Sequence, residues 1–151
     1  MTNCTSNIAH FPRCKSRQVQ ADFTGGDITS NAGELLLRQL DRKLQLSKAL
    51  AKIINDPRDT ARCLHKTETV VKQRLYVLVL GYEDLNDHQQ LRYDLALQTA
   101  TDSEHQLASQ STLCRFEKHA NGEQAVQMHE ILIEQFLASF RKPPKKNLVP
   151  G

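Results

Sequence analysis

Asp84, Asp87 and His88 place three side chains of metal-binding type within five residues. A catalytic metal site needs further ligands and outer partners held rigidly, which one turn cannot supply, so this cluster is read as capping and hydrogen-bonding. His65, His105, His119 and His129 stand far apart, without the i, i+4 histidine pair of a zinc-binding helix. Gly25-Gly26 lacks the Lys and Ser or Thr that complete a phosphate-binding loop. Cys4, Cys14, Cys63 and Cys114 are scattered with no CxxC pair, which predicts free thiols in a reducing compartment.

Polar and basic residues offer a different chemistry. Ser109, Gln110, Ser111 and Thr112 open a segment that continues through Arg115 and Lys118. On a helix such an opening reaches base edges or phosphates, Arg115 projects outward, and Leu113 and Phe116, three apart, turn to the core. Ordinary packed helices generate the same pattern. Arg58, Arg62 and Lys66 recur every four residues, predicting a cationic stripe on one helix face, either phosphate-facing or solvated beside Asp59 and Glu68. These nine residues, Ser109 to Thr112 with Arg115, Lys118, Arg58, Arg62 and Lys66, are the candidate DNA-binding set.

The elements that must carry them follow from periodicity. Val19, Ala21 and Phe23 alternate with polar neighbours, predicting one short strand that Gly25-Gly26 stops and that finds no partner in the sequence. Thr29 or Ser30 caps a helix over roughly 30–45 with Leu35, Leu36, Leu37, Leu40 and Leu44 on its buried side. Ser47 caps a shorter one that ends at Asn55-Asp56-Pro57. Residues 60–82 read as a central helix, apolar on nearly every face from Leu75 to Leu80 and therefore buried all round, with Gly81 ending it. A helix bearing Leu91, Leu95 and Leu97, a turn at Asp102-Ser103-Glu104 and the Ser109 helix form a helix-turn-helix-like pair. Asn121-Gly122 then leads to a last long helix, 123–140, packed on the others. The fold class is mainly α: a helical bundle with this pair and one short N-terminal strand.

The 151 residues suffice for one domain, and 39% hydrophobic with 25% charged residues is globular composition. Of the 20 Lys and Arg, Arg141, Lys142, Lys145 and Lys146 lie in the tail; residues 1–140 hold sixteen cations against seventeen acids. Nucleic-acid binding must then come from a local patch or from the tail. No apolar run approaches the roughly 20 residues of a membrane span, and the start lacks a secretory core, so a bacterial-type cytoplasmic protein with no membrane partner is expected. The layout reads as a flexible leader (1–16), a helical domain (17–140) and a basic tail (141–151) extended around Pro143-Pro144.

Four stretches stand in a familiar order: Ala21-Asp22-Phe23-Thr24-Gly25-Gly26 with Thr29-Ser30-Asn31-Ala32-Gly33; Asp56-Pro57-Arg58-Asp59; Gly81-Tyr82-Glu83-Asp84-Leu85-Asn86-Asp87-His88; and residues 107–117. Together they resemble the N-terminal region of bacterial insertion-sequence transposases of the DDE, RNase-H-like type. The similarity runs from about Val19 to Lys146, and the octapeptide at 81–88 is its most specific part. Ser111 stands where the family commonly has proline, and Cys114 where serine is common.

The resemblance implies a helical domain that binds transposon ends, followed by a catalytic domain whose three carboxylates hold two divalent metals for strand cleavage and joining. No acid follows Glu134. The expectation is thus a truncated transposase that binds duplex DNA at transposon ends and is not an enzyme as it stands. It would carry no cofactor, magnesium or manganese being expected only for the missing catalytic domain. The alternative is an interaction module without DNA affinity, pairing through its unpartnered strand with a full-length transposase or with itself.

Overall fold

The computed structural model describes residues 8–22, 31, 33–58 and 63–142. Phe23, Gly25-Gly26, Thr29, Ser30, Arg62, Cys4 and the tail from 143 lie outside the described residues.

The strand expected near residue 19 has its partner within the chain. Ala9–Cys14 (β1) and Arg17–Ala21 (β2) form an antiparallel hairpin, with Ala9 opposite Ala21, His10 opposite Gln20 and Phe11 opposite Val19. The expectations of an unstructured leader through residue 16 and of an unpartnered strand are both corrected. Pro12, which cannot donate to a ladder, falls where the register shifts between Phe11 and Cys14, and that irregularity hid β1 from a period-two reading. Lys15 makes the turn with φ 50°. Cys14 and Val19 are buried against Leu35, with Phe11 packed beside them.

Seven helices follow among the described residues. The first, α1 (Glu34–Leu44), buries Glu34, Arg38 and Asp41 along with Leu35. Leu36, Leu40 and Leu44, expected inside, are exposed, Leu36 to 63%. The polar residues at 34, 38 and 41 share helical spacing as faithfully as the leucines do, and tertiary partners decide which stripe turns inward. Arg38 donates from Nη1 to Pro12 O (2.6 Å), from Nη2 to Arg13 O (2.9 Å), and from Nε and Nη2 to Asp102 Oδ1 (3.1 and 2.8 Å). Asp102 also receives Arg42 at 3.0 Å and Lys72 at 3.2 Å. Burial alone would raise the Asp102 carboxyl, but the Arg38 hydrogen bonds and the nearby cations bring it below its ordinary value.

The next helix, α2 (Leu46–Ile53), follows a left-handed Gln45 (φ 55°). Ser47 was expected to cap it, but Ser47 is buried and donates from its backbone N–H (2.8 Å) and Oγ (2.5 Å) to Asp41. The Tyr76 hydroxyl donates to the same carboxylate at 3.0 Å. Glu34, by contrast, has no hydrogen-bond partner for either oxygen among the described residues, and burial, assisted by Asp94, pushes its carboxyl up to about 8.

The central helix α3 (Thr67–Val79) is shorter than expected, because residues 63–66 are not helical. It ends as Gly81 predicts: Gly81 sits at φ 92°, with Gly81 N–H to Leu78 O and Tyr82 N–H to Val77 O, both 3.0 Å. Its apolar run is not buried all round, since Leu78 and Val79 are exposed, Val79 to 60%. Tyr76 and Val77 join Leu97, Ala100 and Leu107 in the main core, and Val70 joins Ala108 and Leu113 in a second.

The stretch expected as one helix through Leu91 and Leu97 is a 3-10 turn (Leu85–Asp87), a single helical turn α4 (His88–Leu91) and a separate α5 (Leu95–Ala100), which Asp94 caps. Then come α6 (Gln110–Glu117) and α7 (Gly122–Ala138), the latter opened by an Asn121–Gln124 capping box. Only Gln124 of α7 is buried, while Val126, Leu132, Ile133, Phe136 and Leu137 are exposed. The last helix packs on α2 as expected, with Gln124 Nε2 donating to Ile53 O (3.3 Å) and Gln135 Nε2 to Leu44 O (3.3 Å), but it leaves most of its apolar residues exposed. No helix among the described residues is long and apolar enough to cross a membrane.

Two stability outcomes are expected. Arg38→Ala leaves Asp102 and two carbonyls without their donor and should cost roughly 3–5 kcal/mol in urea unfolding, toward the lower end because Asp102 keeps Arg42 and Lys72. A loss below 1 kcal/mol would show that the pair holds nothing. Glu34 folds protonated with its carboxyl near 8 against 4.5 for a free side chain. Its contribution is complete below about pH 4.5 and is lost as pH rises through about 8. Glu34→Gln should accordingly be more stable than the parent at pH 8.5 and little changed at pH 4.5, whereas parallel pH profiles of melting would refute this.

Candidate nucleic-acid interface

An α-helix can read DNA only if its outward side chains are held at a fixed angle, which depends on what braces α6. Residues 101–109 join α5 to α6, longer than the three or four residues of a compact helix-turn-helix turn. The connection is nevertheless tied down. Asp102 takes φ 60° within the Arg38 network, Leu107 N–H donates to Arg92 O at 3.1 Å, and Leu107 and Ala108 are buried.

Gln73, buried on α3, then grips the last residues before α6. Its Nε2 donates to Ala108 O (2.9 Å) and its Oε1 accepts from Ala108 N–H (3.0 Å), so one side-chain amide satisfies both backbone groups. The second Nε2 hydrogen points at His88 Nδ1, 3.0 Å away. His88 Nδ1 accepts there, which leaves the ring proton on Nε2, buried with no partner among the described residues. Burial, with Arg74 nearby, pushes the imidazole down to about 4 despite Asp87, so it is neutral at physiological pH.

The rest of the octapeptide acts in the same way. Asp84 accepts from Asn86 N–H (2.9 Å) and Asn86 Nδ2 (3.0 Å), and Asn86 Oδ1 accepts from Gln110 Nε2 at 2.6 Å. The capping role expected of Asp84 is what the structure has, and Asn86 and Gln73, which sequence reasoning did not select, connect that turn to α6. Their signal in the sequence was faint: one Gln between Lys72 and Arg74 in α3, and one Asn inside a turn. Among the described residues no group of three or more His, Cys, Asp or Glu stands where it could hold a metal ion. These side chains do not fit the two-metal carboxylate set that the resemblance implies, and none is assigned as a ligand.

On α6 itself, Ser109 accepts from Thr112 N–H as the cap (3.4 Å), and its Oγ lies 3.1 Å from the hydroxyls of Ser111 and Thr112. Leu113 is buried and Phe116 half-buried, as their spacing predicts. Ser111, Arg115 and Lys118 are exposed on the opposite side. Arg115 Nε donates to Ser111 O at 3.2 Å, and its terminal amino groups have no partner among the described residues. Arg74 of α3 secures the far end of α6 through Glu117 at 2.7 Å.

The second group of candidates is not the helical stripe that its spacing suggested. Arg58 lies outside any helix and is bonded to Asp56, whose carboxyl those hydrogen bonds hold far below the usual carboxylate range. Lys66 is the residue before α3, and Arg62 lies outside the described residues. The non-helical residues 63–66, just before Thr67, interrupt the 3.6-residue repeat that a stripe needs. Arg58 does reach α6, with its guanidinium 5.3 Å from the centre of the Phe116 ring.

A family model described as transposase DDE domain, group 1, matches residues 11–149. No curated protein and no solved structure matches. The match overturns the expectation that the chain is a non-enzymatic fragment, because a domain defined by DDE catalysis extends over nearly all of it.

Gln73→Leu keeps the volume but strands Ala108 N–H and C=O inside the core, and should cost about 1–3 kcal/mol. Amide hydrogen exchange should quicken at Ala108 and across α6 more than in α1. Uniform quickening would mean that Gln73 supports the core generally and does not brace α6.

Proposed function

The chain belongs to the transposase DDE domain group 1 family, and we propose from that membership that its described residues form the surface by which a transposase grips the ends of an insertion sequence. The partner that the family implies is DNA. In our reading α6 enters the major groove, with Ser111, Arg115 and Lys118 toward the duplex and Ser109, Gln110 and Thr112 setting the helix's entry. Arg141 and Lys142, exposed after α7, add phosphate contacts indifferent to sequence.

The observation that carries this reading is the exposed Arg115 on a helix held at its start by Gln73 and Asn86 and at its end by Arg74. A guanidinium with free terminal amino groups donates two parallel hydrogen bonds to guanine O6 and N7, worth roughly 1–3 kcal/mol of discrimination. Phosphate contacts weaken all sequences alike and give no such discrimination.

Arg115→Ala should therefore lower affinity for element-end duplex by roughly tenfold more than for random duplex, from that same energy. Fluorescence anisotropy at fixed salt measures both, and circular dichroism should remain unchanged. Equal loss on the two duplexes, or no loss, would remove α6 as the reading helix.

A further inference from the structure

A cavity of about 460 Å³ opens between α2 and the start of α3. Four cations line it: Lys48 and Lys52, one helical turn apart on α2, Lys66 just before α3, and Arg58. Only two carboxylates share the lining, and both are committed elsewhere. Asp56 is spent on Arg58 and Thr67, and Glu68 is bound to Lys72 at 3.0 Å. Lys48, Lys52 and Lys66 are exposed and have no ion-pair partner among the described residues. Three ammonium groups around one concavity, without a carboxylate partner among the described residues, form a local positive field in a chain whose first 140 residues carry more acids than cations.

His65 is half-buried on the same wall, and burial first, then Arg58 and Arg92, lower its imidazole below the ordinary value. Arg58 connects the cavity to α6, since it lines the one and lies over Phe116 of the other. The cleft and α6 are thus neighbours through Arg58, on the side of α6 that carries Phe116.

We infer that this cleft, formed by Lys48, Lys52 and Lys66, is a phosphate-binding site that takes a backbone phosphodiester of the duplex lying on α6. Three flexible ammonium groups are point donors suited to an oxyanion whatever the base sequence, so the contact adds affinity and salt dependence without specificity. The inference rests on the reading of the chain as a duplex-DNA binder and adds a second point of attachment to it.

The test uses the full chain with Lys48→Gln and Lys66→Gln combined, and separately Lys52→Glu, all at exposed positions where folding is checked by circular dichroism. Binding of a random duplex is followed by anisotropy across a salt series. The slope of log affinity against log salt should shrink by about 0.9 for each lost contact, near 2 for the double variant, with a loss on the order of tenfold at 0.1 M salt. Lys52→Glu should weaken binding at least as much, while the preference for element-end over random duplex remains unchanged. If the parent binds duplex and both variants keep its slope, the cleft is not a phosphate site.

Inorganic pyrophosphate, titrated while amide resonances of Ala51, Lys66 and Thr67 are followed, separates the two sources of phosphate. Shifts that vanish in the double variant, in a parent that binds duplex, support the assignment. If the parent binds no duplex, the DNA-binding reading fails by itself. Pyrophosphate shifts would then assign the cleft to free phosphates and overturn the backbone assignment, and their absence would overturn the site altogether.

Discussion

The buried guanidinium of Arg38 is the constraint on which the rest of the arrangement depends. A charge at 2% exposure has no water to satisfy it, so its donors must find protein acceptors at fixed positions. Those acceptors come from distant parts of the chain: two carbonyls at the irregular end of β1, and the carboxylate of Asp102 beyond α5. A two-stranded hairpin is marginal by itself and prone to slip in register. Arg38 holds it in one register, because only one places Pro12 O and Arg13 O within reach. Asp102 in turn collects Arg42 from α1 and Lys72 from α3, so a single left-handed residue joins hairpin, first helix and central helix.

That network extends to the candidate interface along the backbone. The loop that starts at Asp102 ends at Ala108, where Gln73 takes over, so each end of the connection into α6 is fixed by a buried polar side chain. The octapeptide supplies the remaining struts through Asn86 on Gln110 and His88 on Gln73. Residues of metal-binding type are used here as rigid hydrogen-bonding elements. Positioning groups of this kind need burial and neutrality, which is the condition imposed on His88 by its surroundings.

The cost of turning polar residues inward is apolar surface turned outward. Leu36 and Leu40 of α1, Val79 of α3 and the length of α7 face solvent among the described residues. A helix whose inner stripe is Glu34, Arg38 and Asp41 cannot also bury the leucines on its other side. The hydrophobic effect alone would choose the leucines, and the donation of Arg38 Nε and Nη2 to Asp102 Oδ1, with the hydrogen bonds that Asp41 accepts from Ser47 and Tyr76, reverses that choice.

Local rules made a good part of this protein legible. The helical class, the Gly81 stop, the Asp84 cap, the opening of α6 at Ser109 and the inward turn of Leu113 and Phe116 all depend on neighbours within four or five residues, and sequence displays those neighbours directly. The family was legible too, since the resemblance read from the sequence agrees with the family model that matches residues 11–149. What sequence could not display is any decision made by a partner tens of residues away. Pro12 hid β1 by breaking its alternation, Arg38 and Asp41 displaced leucines with equal periodicity, and residues 63–66 left the helix that spacing had extended through Arg58 and Lys66. The cleft of Lys48, Lys52 and Lys66 exists only because α2 is folded against α3. Periodicity records which residues share a face, and only the tertiary structure, by supplying acceptors for buried donors, decides which face turns inward.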